Sequence, residues 1–96
     1  MSSSFSTENG IGEHNSVVVN LSLSGMSIVA REKLEAGQRI RLCLYFQEFD
    51  AISALCEVRW LSKERKNYLY GLQIVEMNEV DIFKYKRLIK DLHKKV

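Results

Sequence analysis

The sequence has no proline, only two cysteines, two histidines and one tryptophan, and no arginine or lysine before Arg31. Each shortage closes a class of function. Cys43 and Cys56 stand in no metal-binding spacing, and His14 and His93 lie far apart without thiols or carboxylates at ligand spacing, so no metal centre is expected. With only those histidines as bases, neither Ser22 nor Ser24 has a partner to make it a nucleophile, and no catalysis is expected. No glycine-rich loop leads from a strand into a helix, which excludes a phosphate loop and a dinucleotide fingerprint. No apolar run reaches the roughly 18 residues that span a bilayer, and no charged-then-apolar leader opens the chain. A cytoplasmic protein with both thiols reduced is therefore the expectation. There is no internal repeat and no low-complexity core segment, and 96 residues make one domain.

What is present is an ordinary globular composition, 46% hydrophobic and 27% charged, enough for one modest core. The net charge of +2 argues neither for nucleic acid nor for a membrane surface, but its distribution is uneven. Before Arg31 the only charged side chains are Glu8 and Glu13, whereas Lys84, Lys86, Arg87, Lys90, Lys94 and Lys95 crowd the last segment against Glu79, Asp81 and Asp91.

Residues 1–15 are rich in Ser, Asn, Gly and Glu, with Phe5 and Ile11 as the large apolar residues after Met1. They read as a flexible tail with at most one weak strand near Phe5, leaving residues 16–96 as the folded domain. Ser16–Leu21 and Met26–Ala30 read as strands around the turn Asn20-Leu21-Ser22-Leu23-Ser24-Gly25, where Gly25 is available for a positive φ. A second turn signal, Glu35-Ala36-Gly37-Gln38, precedes the cleanest period of two: Ile40, Leu42, Leu44 and Phe46 face one way and Arg39, Arg41, Cys43 and Tyr45 the other. Gln47-Glu48-Phe49-Asp50 closes a hairpin into a long strand with Ala54, Cys56, Val58 and Trp60 inward. Ser62–Asn67 is a solvated loop, and Tyr68–Glu76 the next strand, with Gly71 relieving a crossing or bulge. From Asn78 the period becomes helical: Ile82, Tyr85, Ile89, Leu92 and Val96 form a stripe that Phe83 and Leu88 widen. Asn78 caps it, with Glu79 and Asp81 at the positive end of the dipole and His93, Lys94 and Lys95 at the negative end. The fold class that follows is all-β, an antiparallel barrel or curled sheet with one C-terminal amphipathic helix.

These landmarks resemble the PilZ domain family, bacterial modules that bind cyclic di-GMP. Asn20-Leu21-Ser22-Leu23-Ser24-Gly25 matches the family's (Asp/Asn)-x-Ser-x-x-Gly motif. Leu34-Glu35-Ala36-Gly37, Val58-Arg59-Trp60, Tyr70-Gly71-Leu72-Gln73-Ile74 and a final helix follow in the family's order, so the resemblance covers about residues 16 to 92. It implies a barrel of five to six strands, the first reduced or absent here, with the helix packed across it. It also implies Asn20, Ser22 and Gly25 as the turn half of a nucleotide site. The other half in the family is an upstream Arg-x-x-x-Arg segment, suited to guanine and phosphate by arginine's planar fork, and no such segment occurs in this chain.

Two functions follow. The first is a non-enzymatic regulatory adaptor that binds protein partners or itself, using an unpaired sheet edge near Val17–Val19, with weak or no cyclic di-GMP binding. The second is a cyclic di-GMP receptor that borrows cations from elsewhere, Arg31 and Arg59 first, then Arg39, Arg41, Lys84, Arg87 or Lys90. A nucleic-acid-binding barrel using the basic helix is disfavoured by the acidic beginning and low net charge. Family members regulate motility, pili, secretion and surface polymers.

Overall fold

A computed structural model describes residues 1–7, 10, 12–47 and 50–93. Six strands, β1 (Ser2–Thr7), β2 (His14–Leu21), β3 (Gly25–Ala30), β4 (Arg39–Gln47), β5 (Asp50–Glu64) and β6 (Asn67–Glu76), are followed by helix α1 (Glu79–His93). The strands close into a barrel in the order β1-β2-β3-β6-β5-β4, every neighbouring pair antiparallel. The Glu48–Phe49 part of the hairpin, Glu8, Ile11 and the helix end at Lys94, Lys95 and Val96 lie outside the described residues. No helix among the described residues is long and apolar enough to cross a membrane.

Alternation builds the interior. Ile40, Leu42 and Leu44 of β4 meet Ile52, Ala54, Cys56 and Val58 of β5, and Ile28, Met26, Tyr70 and Leu72 continue the same core across β3 and β6. Burial pushes the Cys56 thiol up to about 12, so it packs as a small apolar side chain. Leu34, between β3 and β4, is fully buried, and its N–H donates to the Tyr70 hydroxyl at 2.8 Å. That hydroxyl in turn donates to the Glu32 carbonyl at 2.5 Å. Tyr70→Phe strands both backbone groups and is expected to cost about 1–3 kcal/mol, read from the urea midpoint at constant slope.

The first corrected expectation is the tail. Residues 2–7 are strand β1, paired with β2 from Ser2↔Val17 to Phe5↔His14 and with β4 from Ser2↔Tyr45 to Thr7↔Ile40. A serine-rich segment can enter a barrel because its hydroxyls find partners. Ser3 and Ser16 are both buried and share a hydrogen bond of 2.5 Å, and Ser4 bonds Glu13 and Tyr45. Phe5 supplies the apolar content, 1% exposed, its ring tilted against His14 with the centroids 5.3 Å apart. The first strand is therefore neither absent nor reduced, and the expected free edge near Val17–Val19 is occupied. Val17 pairs with Ser2, and the Val18 N–H donates to the Met1 carbonyl at 2.8 Å.

The second correction concerns the helix. Asn78 does cap it, its Oδ1 accepting the Asp81 N–H at 2.8 Å. The buried stripe, however, is Asp81, Tyr85, Leu88 and Ile89, while Ile82 and Leu92 stay about two-fifths exposed and Phe83 faces solvent. Polar anchors set this rotation. The Asp81 carboxylate accepts the Ser53 N–H, Lys84 pairs with Asp50 at 2.8 Å, and the Tyr85 hydroxyl reaches back to the β2–β3 turn. The Lys84 hydrogen bond holds the Asp50 carboxyl below its ordinary range.

Candidate functional site

The turn between β2 and β3 is held from three sides. The Ser22 N–H donates to the Gly25 carbonyl at 2.9 Å, and the Ser22 hydroxyl leans on the same oxygen at 3.2 Å. On the β6 side the Ile74 N–H donates to the Ser24 carbonyl at 3.0 Å. From α1 the buried Tyr85 hydroxyl donates to the Ser22 carbonyl at 2.5 Å, with the Gly25 carbonyl 3.0 Å away. Gly25 is required by proximity: a Cβ there would lie 2.1 Å from the Leu72 carbonyl oxygen. The positive φ expected of it belongs instead to Gly12 and to Gly37, which sits in the turn closed by Gln38 N–H to the Glu35 carbonyl.

Two bulges flank this turn and aim side chains over it. In β2 the register shifts between Val18 and Asn20, so Val18 stays inside while Val19 and Asn20 both face out. In β5 it shifts between Val58 and Trp60, which turns Arg59 and Trp60 outward. Bulges next to sites commonly re-aim side chains in this way. Trp60, expected inside with Cys56 and Val58, is 47% exposed. Strict alternation along β5 fails at the inserted residue, and the indole lies instead on Gly71, where any Cβ would fall 2.1 Å from its Nε1. The crossing or bulge expected at Gly71 is placed instead in the opposite strand, at Arg59, where the β5 register shifts between Val58 and Trp60.

The outer surface then carries two rows running across the strands. Asn20, Ser27, Gly71 and Trp60 are successive ladder partners, and beside them run Gly25, Gln73, Glu57 and Arg39. Between the rows is an open groove of about 270 Å³, lined by Asn20, Ser22, Gly25, Arg59, Trp60 and Gln73 among others. The candidate residues Asn20, Ser22 and Gly25 are thus brought together with Arg59. Arg31 is not. It follows the far end of β3, about 20 Å of strand away, beside a polar groove with Glu13, His14, Glu32 and Asn67. Arg39, Arg41, Lys84, Arg87 and Lys90 do not line the Asn20 groove either. Sequence reading missed Trp60, Ser27 and Gln73, although Gly71 opposite Trp60 was a usable signal.

The groove's cation is not free. Arg59 donates to Glu57 at 2.8 Å, and Arg39 approaches the same carboxylate at 3.7 Å. The Arg59 hydrogen bond, helped by Arg39, keeps the Glu57 carboxyl ionised below its ordinary range. Chemically the groove offers two carboxamides, hydroxyls, one indole face and one shared guanidinium. Among the described residues no three His, Cys, Asp or Glu converge on a metal position.

The PilZ domain family model matches residues 1–92. Among solved structures, the crystal structure of YcgR in complex with c-di-GMP from Escherichia coli is similar, with a TM-score of 0.80 at 13% identity, covering 98% of this chain and 42% of that one. The chain therefore spans less than half the length of that protein, and at such identity the likeness shows the fold. No curated protein matches the sequence.

Proposed function

This chain belongs to the PilZ domain family, and on that premise we propose that it is a non-enzymatic regulatory adaptor, working through a protein partner, whose own groove holds cyclic di-GMP weakly. One observation carries this reading: the single guanidinium beside Asn20, Ser22 and Gly25 is already bonded to Glu57. A bidentate arginine contact of the base-reading kind is worth roughly 1–3 kcal/mol, so the lack of two costs about two to four orders of magnitude in affinity. The turn's hydroxyls and carboxamide are neutral and do not replace that.

Calorimetric titration of the chain with cyclic di-GMP is the test. Binding weaker than about 100 μM is expected, and Glu57→Gln, which frees Arg59, is expected to tighten it about two- to fivefold, the worth of an exposed ion pair. A second reading, a true receptor, is favoured by Trp60, whose indole lies open beside Arg59 for a purine to stack on. Micromolar binding lost in both Asn20→Ala and Arg59→Ala would establish the receptor and overturn the weak-binding adaptor.

A further inference from the structure

On the other side of the same turn lies a second groove, of about 450 Å³, between the end of β6 and α1. Leu23, Ile74, Val75, Met77 and Ile82 make it apolar, and Leu23, at the tip of the turn, is 66% exposed. Its charges are segregated along its length. Glu76 lies on the β6 rim and Glu79 opens α1, whereas Lys86 lines the α1 rim and Lys90 follows one turn later on that flank. Lys86 and Lys90 are exposed and make no salt bridge among the described residues, unlike Lys84, which Asp50 holds. An apolar trough with one acidic end and one unpaired basic end is complementary to a dipolar apolar segment.

We propose, as a deepening of the adaptor reading on which it rests, that this groove docks an amphipathic helical segment of a partner protein, its apolar stripe against Leu23, Val75 and Ile82, its acidic end at Lys86 and Lys90 and its basic end at Glu76 and Glu79. Helix-in-groove recognition uses this combination of an apolar stripe with flanking charge. The acids Glu76 and Glu79 fix the direction, because the reversed segment would bring like charges together at both ends. An anionic bilayer is a poorer occupant, since the same groove that attracts it at Lys86 repels it at Glu76 and Glu79. Leu23 faces this groove while Asn20 and Ser22, three and one residues away, line the other, so the six-residue turn is common to both surfaces.

The probe is a fluorescent synthetic helical peptide with leucines at i, i+3, i+4 and i+7, glutamates at one end and lysines at the other, compared by anisotropy with a version carrying glutamines at those charged positions. The dipolar peptide is expected to bind at least about tenfold more tightly than the glutamine version, the difference shrinking as salt rises. Lys86→Glu should remove most of that preference, and Ile82→Asp and Leu23→Asp should each remove binding of both peptides. Both apolar sites are already open to water, so their circular dichroism and melting should stay close to the parent's. Equal binding of the two peptides, or binding indifferent to Ile82→Asp and Leu23→Asp, overturns the proposal. Sedimentation with phosphatidylglycerol vesicles that Ile82→Asp abolishes overturns it in favour of a bilayer. A mass that doubles with concentration and is lost in the same variant overturns it in favour of a second copy. Lys86 is outside the Asn20 groove, so the cyclic di-GMP titration of Lys86→Glu should match the parent's. Tight nucleotide binding would sink the weak-binding reading in that separate measurement while leaving the peptide comparison to stand or fall alone.

Discussion

Phe5→Ala is expected to lower the unfolding free energy by about 3–5 kcal/mol, the usual cost of emptying a buried aromatic site. A chain of this size holds roughly 5–14 kcal/mol in all, so the loss is about a fifth of its stability or more. The reason is position as much as volume. Phe5 is 1% exposed, lies at the end of the β1–β2 register, and is the large apolar side chain that β1 sends into the barrel. Its neighbours Ser3 and Ser4 are satisfied by hydrogen bonds to Ser16, Glu13 and Tyr45, which offset desolvation but contribute little net attraction. Without the ring, β1 loses its apolar anchor and β2 and β4 become edges that invite pairing with another chain. Urea titration should show a midpoint shift of that size, and light scattering a mass that rises with concentration. A cost below about 1 kcal/mol, with a monomer at all concentrations, would mean that β1 does not close the barrel.

The same strand marks where the sequence stopped being legible. β3, β4, the inner half of β5, β6 and α1 could be read because their period is regular and their caps and turns agree with it; Ile40, Leu42 and Leu44 are buried as the alternation requires. β1 could not, because serine carries no burial signal of its own. Whether Ser3 is inside depends on Ser16, thirteen residues away, and that pairing exists only after the barrel closes. The site was legible in part for a related reason. Asn20, Ser22 and Gly25 are contiguous and share one turn, whereas Trp60 joins them through a one-residue bulge in β5 that reverses every inside–outside assignment beyond it. Arg59 was among the cations considered because it stands on a strand, inside the landmark Val58-Arg59-Trp60, but nothing local revealed that Glu57, two residues back, would hold it. On α1 the apolar pattern predicted a stripe through Ile82, Tyr85, Ile89 and Leu92, while Asp81, a charged residue, turned out to be one of the buried members.

Gly25→Ala is expected to be the most damaging single-methyl addition, and Gly71→Ala its informative control. At position 25 the new Cβ would meet the Leu72 carbonyl oxygen at 2.1 Å and the Gln73 Cα at 3.3 Å, all of it backbone. Relief requires β3 and β6 to part by roughly an ångström, since non-bonded atoms settle well beyond that contact. Parting them breaks the Ile74 N–H to Ser24 bond and disturbs the Tyr85 hold on Ser22 and Gly25. The expected cost is about 3 kcal/mol, overpacking plus lost hydrogen bonds, or a fall of roughly 10–20 °C in Tm. At position 71 the clash is as close on paper, 2.1 Å to the Trp60 Nε1, but the obstacle is a half-exposed side chain free to swing into solvent. Gly71→Ala should therefore change Tm by only a few degrees while shifting Trp60 emission to the red as the indole leaves its seat. Because Trp60 is the chain's only tryptophan, the fluorescence reads that one position. Equal melting temperatures for the two variants would refute the assignment of Gly25 to close strand packing. An unchanged emission spectrum in Gly71→Ala would refute the seating of Trp60 on the glycine, and with it the aromatic wall of the Asn20 groove.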